Sequence, residues 1–304
     1  MQKKLFVILL SLLFVSPWVQ GFPKGSRVVI LNSKNLIPYY QAIQGVKQIL
    51  GKETPVYEMN ANPHKGKILV NYAISNGAKV IVAVGALAVE VAEKQSQVPV
   101  VFTMILHSEK FLVSNRNTTG VYMDIPVKIQ FQTLASAFPH ITRIGVIYDP
   151  AKTGDEVQTG KGAAANLGLT LFDLPISSSS GVPRALKKLL KNKIQSLWMV
   201  PDSTVYTSDS FAYINERLIE HHIPFFVFSK EFVRIGGLLA LSPKYTEIGK
   251  EAGELALKIL NGVRANQIPP KFPDRFDLYV NRHVLRETGI KISSTVLSTA
   301  KMIK

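Results

Sequence analysis

The residues best placed to do chemistry in this chain are polar ones that follow short apolar runs. They are Asn32 and Ser33, Gly85 with Ala86 and Leu87, Thr103, Tyr148 and Asp149, and the loop Pro201, Asp202, Ser203 and Thr204. Groups just beyond the carboxyl ends of strands are where an open α/β sheet meets its ligand. In this set Asp202 can accept from an ammonium or a hydroxyl, and the N–H groups from Gly85 to Leu87, at a helix start, can donate to a carboxylate. Two of the residues also have plainer uses. Asp202-Ser203-Thr204 stands ahead of a helical stretch at 208–220, where an aspartate serves as N-cap, and Gly85 serves as a tight turn between a strand and a helix. Tyr39, Tyr40, Tyr148 and Tyr206 offer faces to an apolar or aromatic ligand, or fill the core.

Enzyme motifs fail one by one. GDEVQTGKGA holds Gly160-Lys161 but lacks the glycine five residues earlier and a following Ser or Thr, so it is no phosphate loop, and no GxGxxG, GxSxG or HExxH occurs. His221 and His222 are adjacent, hence about 100° apart on a helix and poorly placed to share a metal. With six histidines and no cysteine there is little to build a transition-metal site from, and no nucleophile stands with its base. The reading is a non-enzymatic chain with no catalytic residue, metal or cofactor.

The elements that would position the polar residues follow from pattern. Residues 80–84 are unbroken apolar, as in a strand buried on both faces of a parallel sheet, and Leu87, Val91 and the alanines near them then take helical spacing. Before them come a strand from Arg27, a helix at 38–50, a strand at 56–59 and a helix at 65–76. After them come strands at 98–105 and 120–124, and Pro126 opens a helix. At Arg143 the rhythm restarts. RIGVIYDPAKTG repeats RVVILNSKN in kind, KIQSLWMVPD repeats GAKVIVAVG, IPFFVF repeats VPVVF, and GGLLALS repeats GVYMD. Two similar α/β lobes with right-handed crossovers are expected, with a helix at 246–260 and a last strand at 276–280.

A length of 304 residues, 46% hydrophobic and 19% charged, suits two core-forming units and excludes disorder. MQKKLFVILLSLLFVSPWVQG has two lysines, an apolar run at 5–15 and small residues near Gly21. This is the pattern of a signal peptide at 1–21, with an uncleaved anchor as the alternative. Without cysteine there is no disulfide framework and no lipid-modified cysteine. The formal charge of +15 comes from lysines that look scattered along the sequence, and export with no interleaved aromatics argues against nucleic acid.

VPDSTVYTSDSF, IPFFVFSKEFVRIGGLLALS, YTEIGKEAGELALKILNG and DLYVNRHVLRETGIKI, with TTGVYMDIPVKIQ and RIGVIYDPAKTG, resemble the ABC-transporter substrate-binding protein family, in the branch that binds aromatic amino acids such as tryptophan. The resemblance implies an α/β type I periplasmic-binding fold of two Rossmann-like lobes with parallel sheets. An amino lobe would take 26–124 plus 244–268 and a carboxy lobe 126–240 plus 274–290, with 291–304 as a C-terminal tail. It implies a periplasmic or otherwise extracytoplasmic monomer that holds a small solute and delivers it to an ABC permease in the membrane. The alternative is a ligand-sensing subunit that signals to a membrane kinase or receptor. PDSTV carries the family's acidic loop onto Asp202, Ser203 and Thr204, and YDP carries over at Tyr148 and Asp149. The helix-start motif, commonly Thr-Pro-Ala-Ala, is Gly85-Ala86-Leu87-Ala88 here. The Asp-Pro after the fourth strand is absent from MILHSEK, and the Asp-Tyr before the last long helix is Lys244-Tyr245. A lysine there, facing the cleft, would disfavour an ammonium and favour a more anionic ligand.

Overall fold

The computed structural model describes residues 26–94, 97–106 and 117–303. The expected signal peptide at 1–21 and most of MILHSEK lie outside them. Among the described residues no helix is long and apolar enough to cross a membrane.

The first sheet has the order β2-β1-β3-β4-β5, all parallel. Its strands are β1 (Val28–Asn32), β2 (Val56–Glu58), β3 (Val80–Val84), β4 (Val100–Thr103) and β5 (Thr118–Val121). One face is covered by α2 (Pro63–Ser75) and α3 (Ala86–Glu93), the other by α1 (Ile37–Leu50) and α9 (Tyr245–Leu260). Both faces being covered is why the residues of β3 are all buried and none is polar.

The second sheet has the order β12-β11-β10-β9-β8-β6-β7. Its strands are β6 (Arg143–Tyr148), β7 (Thr170–Pro175), β8 (Ser196–Trp198), β9 (Phe225–Phe226), β10 (Leu239–Pro243), β11 (Phe276–Asn281) and β12 (Lys301–Ile303). Around it stand α4 (Val127–Ala137), α5 (Pro150–Ala165), α6 (Val182–Lys191), α7 (Ser208–Glu220), α8 (Lys230–Arg234), α10 (Arg282–Thr288) and α11 (Ser294–Thr299). The run β7-β6-β8-β9-β10 repeats β2-β1-β3-β4-β5 strand for strand. Val28 pairs with Val80 and Ile144 with Ser196, the same separation in each half, which is the physical content of the repeated rhythm. Among the described residues only β10 and β11 pair antiparallel.

Three features differ from the sequence reading. The fifth strand lies at Thr118–Val121 rather than 120–124, because the chain then leaves the sheet: Tyr122 N donates to Lys271 O and Lys271 N to Gly120 O. The fourth strand is trimmed to Val100–Thr103, since Met104 takes a φ of 59° that no strand continues through. Residues 291–304, expected as a tail, carry α11 and β12. The latter pairs parallel with β11, so this segment is part of the second sheet. The chain passes between the sheets three times, at 122–126, 243–245 and 271–276.

Candidate functional site

Three adjoining hollows run through the space between the two sheets, over the carboxyl ends of their strands. One, of about 370 Å³, is bounded by Tyr39, Ala86, Met104, Ile105, Leu106, Met123 and Asp124 on the first lobe and by Lys152, Thr153, Glu156 and Pro201 on the second. A deeper one of about 190 Å³ shares Leu106, Met123, Asp124, Glu156 and Pro201, and adds Phe228, Ser229, Leu241 and Tyr245. The third, of about 360 Å³, lies against the first and third crossings and is lined by Asp124, Lys152, Glu156 and Phe272. Asp124, in the first crossing, and Glu156, on the second lobe, therefore line all three hollows.

The turn that opens α3 is built by its neighbours. Gly85 has φ 86°, and a Cβ there would meet Cε2 of Tyr39 at 2.5 Å, so only glycine lets the Tyr39 ring lie over this backbone. Gly85 N donates to Thr103 O. Ser33 Oγ donates to Val84 O and accepts from Ala88 N, both at 2.8 Å, which fastens the end of β1 to the first turn of α3. The N–H groups of Ala86 and Leu87, on that same turn, have no intrahelical acceptor to point at.

On the second lobe Asp202, 2% exposed, organises the wall. Its Oδ2 accepts from Asp149 N and Thr153 Oγ1, both at 2.7 Å, and its Oδ1 from Thr204 N at 2.9 Å and Val205 N at 3.3 Å. Thr204 Oγ1 in turn donates to Asp149 Oδ2 at 2.8 Å, and Asp149 Oδ1 caps α5 through Ala151 N. The pull of Asp202 on Thr153 leaves that residue non-helical, with φ −127°, inside the first turn of α5, and Glu156 follows the kink.

The expected site residues thus separate. Ala86 and Tyr245 line the hollows, and Gly85 lies beneath Tyr39, which lines them too. Leu87 packs against the first lobe's core. Asn32 and Thr103 are wholly buried at their strand ends, Asn32 giving its amide to Glu58 Oε2. Ser33, Asp149, Asp202 and Thr204 are committed to the bonds above, and Ser203 Oγ accepts from Lys152 Nζ at 2.8 Å. Tyr148 donates its hydroxyl to Asp173 on β7, away from the hollows. Asp202 does not cap α7 either, because Thr207 does so in a capping box with Ser210. Lys244 does not line the hollows. Its ammonium pairs with Asp277 at 3.1 Å, so the argument for an anionic ligand falls.

Met104, Leu106, Met123, Asp124, Glu156 and Phe228 are wall residues that the strand-end rule did not pick out. Asp124 ends the GVYMD stretch and was within reach of that rule, whereas Glu156 stands in the second turn of α5, past the non-helical Thr153, where no strand-end rule looks. Burial first, and then the charges of Asp124 and Asp202, push the Glu156 carboxyl up to about 8. Burial, with the charge of Glu231 behind it, pushes the Tyr245 phenol up to about 12, and burial alone raises Tyr39. Among the described residues no group of three or more His, Cys, Asp or Glu is arranged to hold a metal.

Two sheets of matching strand order, crossed three times by the chain and enclosing a cleft, define a two-lobed solute-binding fold of the type I periplasmic-binding class. The chain belongs to the ABC transporter substrate binding protein family, whose model matches residues 40–304. This is a family of substrate-binding proteins rather than of enzymes. A tyrosine-binding protein of Clostridioides difficile (strain R20291) is 24% identical over 172 residues, 56% of this chain. The match spans 49%, about half, of that relative's length. Among solved structures, the ligand-free, open form of a substrate binding protein with adhesive properties from Clostridium difficile aligns with TM-score 0.79 and 21% identity, over 91% of this chain and 98% of that one. An ABC domain in complex with L-Trp from Streptococcus pneumonia aligns with TM-score 0.65 and 18% identity, over 91% of this chain and 100% of that one. At these identities the two structures speak to the fold.

Proposed function

We propose that this chain captures a free amino acid with an apolar or aromatic side chain in the interlobe cleft, outside the cytoplasmic membrane, and delivers it to the permease of an ABC importer. One observation carries the reading. A single hollow of about 370 Å³ has Ala86, on the first turn of α3, on one wall and both Asp124 and Glu156 on the others. The N–H groups at the helix start suit a carboxylate, the acids suit an ammonium, and Tyr39, Met104, Leu106, Met123, Phe228 and Tyr245 supply apolar surface for a side chain. A zwitterion needs all three. The tyrosine-binding relative and the L-Trp complex support the same ligand class. The leader pattern at 1–21 and the family's part in transport support the placement and the partner.

The test is mass spectrometry of small molecules released on denaturing the purified protein, followed by calorimetric titration of the twenty amino acids. An aromatic or large apolar amino acid binds one to one, and analogues lacking either its amino group or its carboxylate bind about a hundredfold more weakly, as expected when a buried charged partner is left unmatched. Equal binding of an amine-free analogue sinks the assignment.

A further inference from the structure

The sequence suggested scattered lysines, but the fold gathers a group of them. Between Asp173 and Asp202 the sequence has no acidic residue, and it places Arg184, Lys187, Lys188, Lys191 and Lys193 on or just after α6. Val182, Ala185, Leu186 and Leu189 bury one side of that helix in the core of the second lobe. The side opposite carries Arg184, Lys187, Lys188 and Lys191 at the same i, i+3, i+4, i+7 spacing, and all four are exposed, as is Lys193. Arg143 adds a sixth cation at the end of the helix, where its Nε donates to Lys193 O at 2.7 Å. The result is one basic stripe along the exposed face of α6, roughly 15 Å long.

Among the described residues no ion pair reaches any of the five side chains from Arg184 to Lys193. Of the acids on the neighbouring α7, Glu220 pairs with Arg217 of its own helix, and Asp209 lines a hollow at the start of α6 beside Val182 and Pro183, with none of the stripe's cations in its lining. The helix dipole favours Lys188 and Lys191 in the last turn, but it opposes the cation at Arg184 in the first turn, where α6 has no acid. Arg184 with Lys188 and Lys187 with Lys191 are like charges at i, i+4, which weaken a helix. A stripe that costs the helix stability and has no internal partner matches an external one. The stripe carries no aromatic side chain to stack on bases, and the hollow at the start of α6 is lined by Asp209 and by none of the stripe's cations, which disfavours nucleic acid and small anions. A flat anionic surface fits it, and phospholipid headgroups supply one beside any membrane transporter.

We propose that the exposed face of α6 is a membrane-docking surface that holds this protein against anionic phospholipid, independently of what fills the cleft. The test is co-sedimentation of the full chain with phosphatidylglycerol-containing vesicles and with pure phosphatidylcholine vesicles. The readout is the ratio between the two lipids, because the apolar N-terminal segment is common to every sample. The wild type favours the anionic vesicles by at least about tenfold at low salt and loses the preference at high salt. Replacing Arg184, Lys187, Lys188 and Lys191 together by glutamate abolishes the preference. The same four charge reversals placed at Lys52, Lys67, Lys258 and Lys291 retain most of it. Glutamine at the four α6 positions serves if the glutamate variant does not fold. The proposal is overturned if the wild type shows no lipid preference, if the control variant loses as much as the α6 variant, or if the stripe retards duplex DNA but not anionic vesicles.

Discussion

A carboxylate has about four lone-pair sites, and Asp202 fills all of them from its own chain: two backbone N–H groups of its loop, the Asp149 N–H and the Thr153 hydroxyl. It ties the β6–α5 turn to the loop after β8, and it holds the hydroxyl of Thr153, the non-helical residue that precedes Glu156 in α5. Glu156 is its opposite, with no hydrogen bond or ion pair among the described residues and a carboxyl raised to about 8 by burial, Asp124 and Asp202. The folded protein holds that proton up to about pH 8, whereas the unfolded chain releases it near the ordinary 4.5. Between those values folding takes up a proton, so this group's contribution to stability falls as pH rises from about 4.5 to about 8. Glu156→Gln removes the dependence. The variant is more stable than the wild type at pH 8 by about 1–2 kcal/mol, solvent at a half-buried site screening the rest, and the difference closes toward pH 4.5. Urea unfolding at several pH values measures it, and a variant no more stable at pH 8 than at pH 5, relative to wild type, refutes it. If an ammonium replaces the proton, ligand binding near pH 7 also releases protons, visible as a binding enthalpy that depends on the buffer.

At the scale of elements, what was legible in the sequence is what local pattern determines. The unbroken apolar run of β3, the glycine before α3 and the restart at Arg143 all report a neighbour close in sequence or a period. The contacts that decide the site do not. Asp202 reads equally as a ligand acceptor or a helix cap because its true partners, Asp149 and Thr153, lie about fifty residues away in another loop. The α1–α9 pair shows the same limit more sharply. These helices, far apart in the sequence, meet where Gly45 faces Thr246 and Gly249 faces Ala42, so closely that a Cβ on either glycine would overlap the opposing carbonyl oxygen. Alanine for a mid-helix glycine ordinarily adds roughly 0.5–1 kcal/mol. Here Gly249→Ala instead destabilises, by about 1–3 kcal/mol, because two backbones must separate. A urea midpoint above the wild type's would show that the helices are not in backbone contact.

The whole molecule is held together at its crossings, and one carboxylate joins more of them than any local pattern shows. Asp277 lies at the start of β11, just past the third crossing. Its Oδ1 meets Lys244 of the second crossing at 3.1 Å, and its Oδ2 meets Lys301 of β12 at 2.6 Å. Burial acts to raise this carboxyl, but the hydrogen bonds from Lys301 and Lys244 and their charges together hold it below the ordinary 3.8. A depressed acid contributes stability that is present above the unfolded value and lost as pH falls through the folded one. Asp277→Asn therefore costs about 1–2 kcal/mol at pH 7, since Lys244 and Lys301 are both partly in solvent. The gap between variant and wild type narrows once the pH drops below about 4, because the wild type then loses the same charge. The substitution also releases the second crossing from the third, the segments about which the proposed closure on a solute would turn. Small-angle scattering with and without the amino acid proposed as ligand reads that motion. The wild type becomes more compact on binding, and the variant starts from a broader distribution that ligand still closes. A variant of unchanged stability at pH 7 and unchanged free-state scattering would mean that the crossings are fixed by their backbone pairing, with Asp277 a bystander.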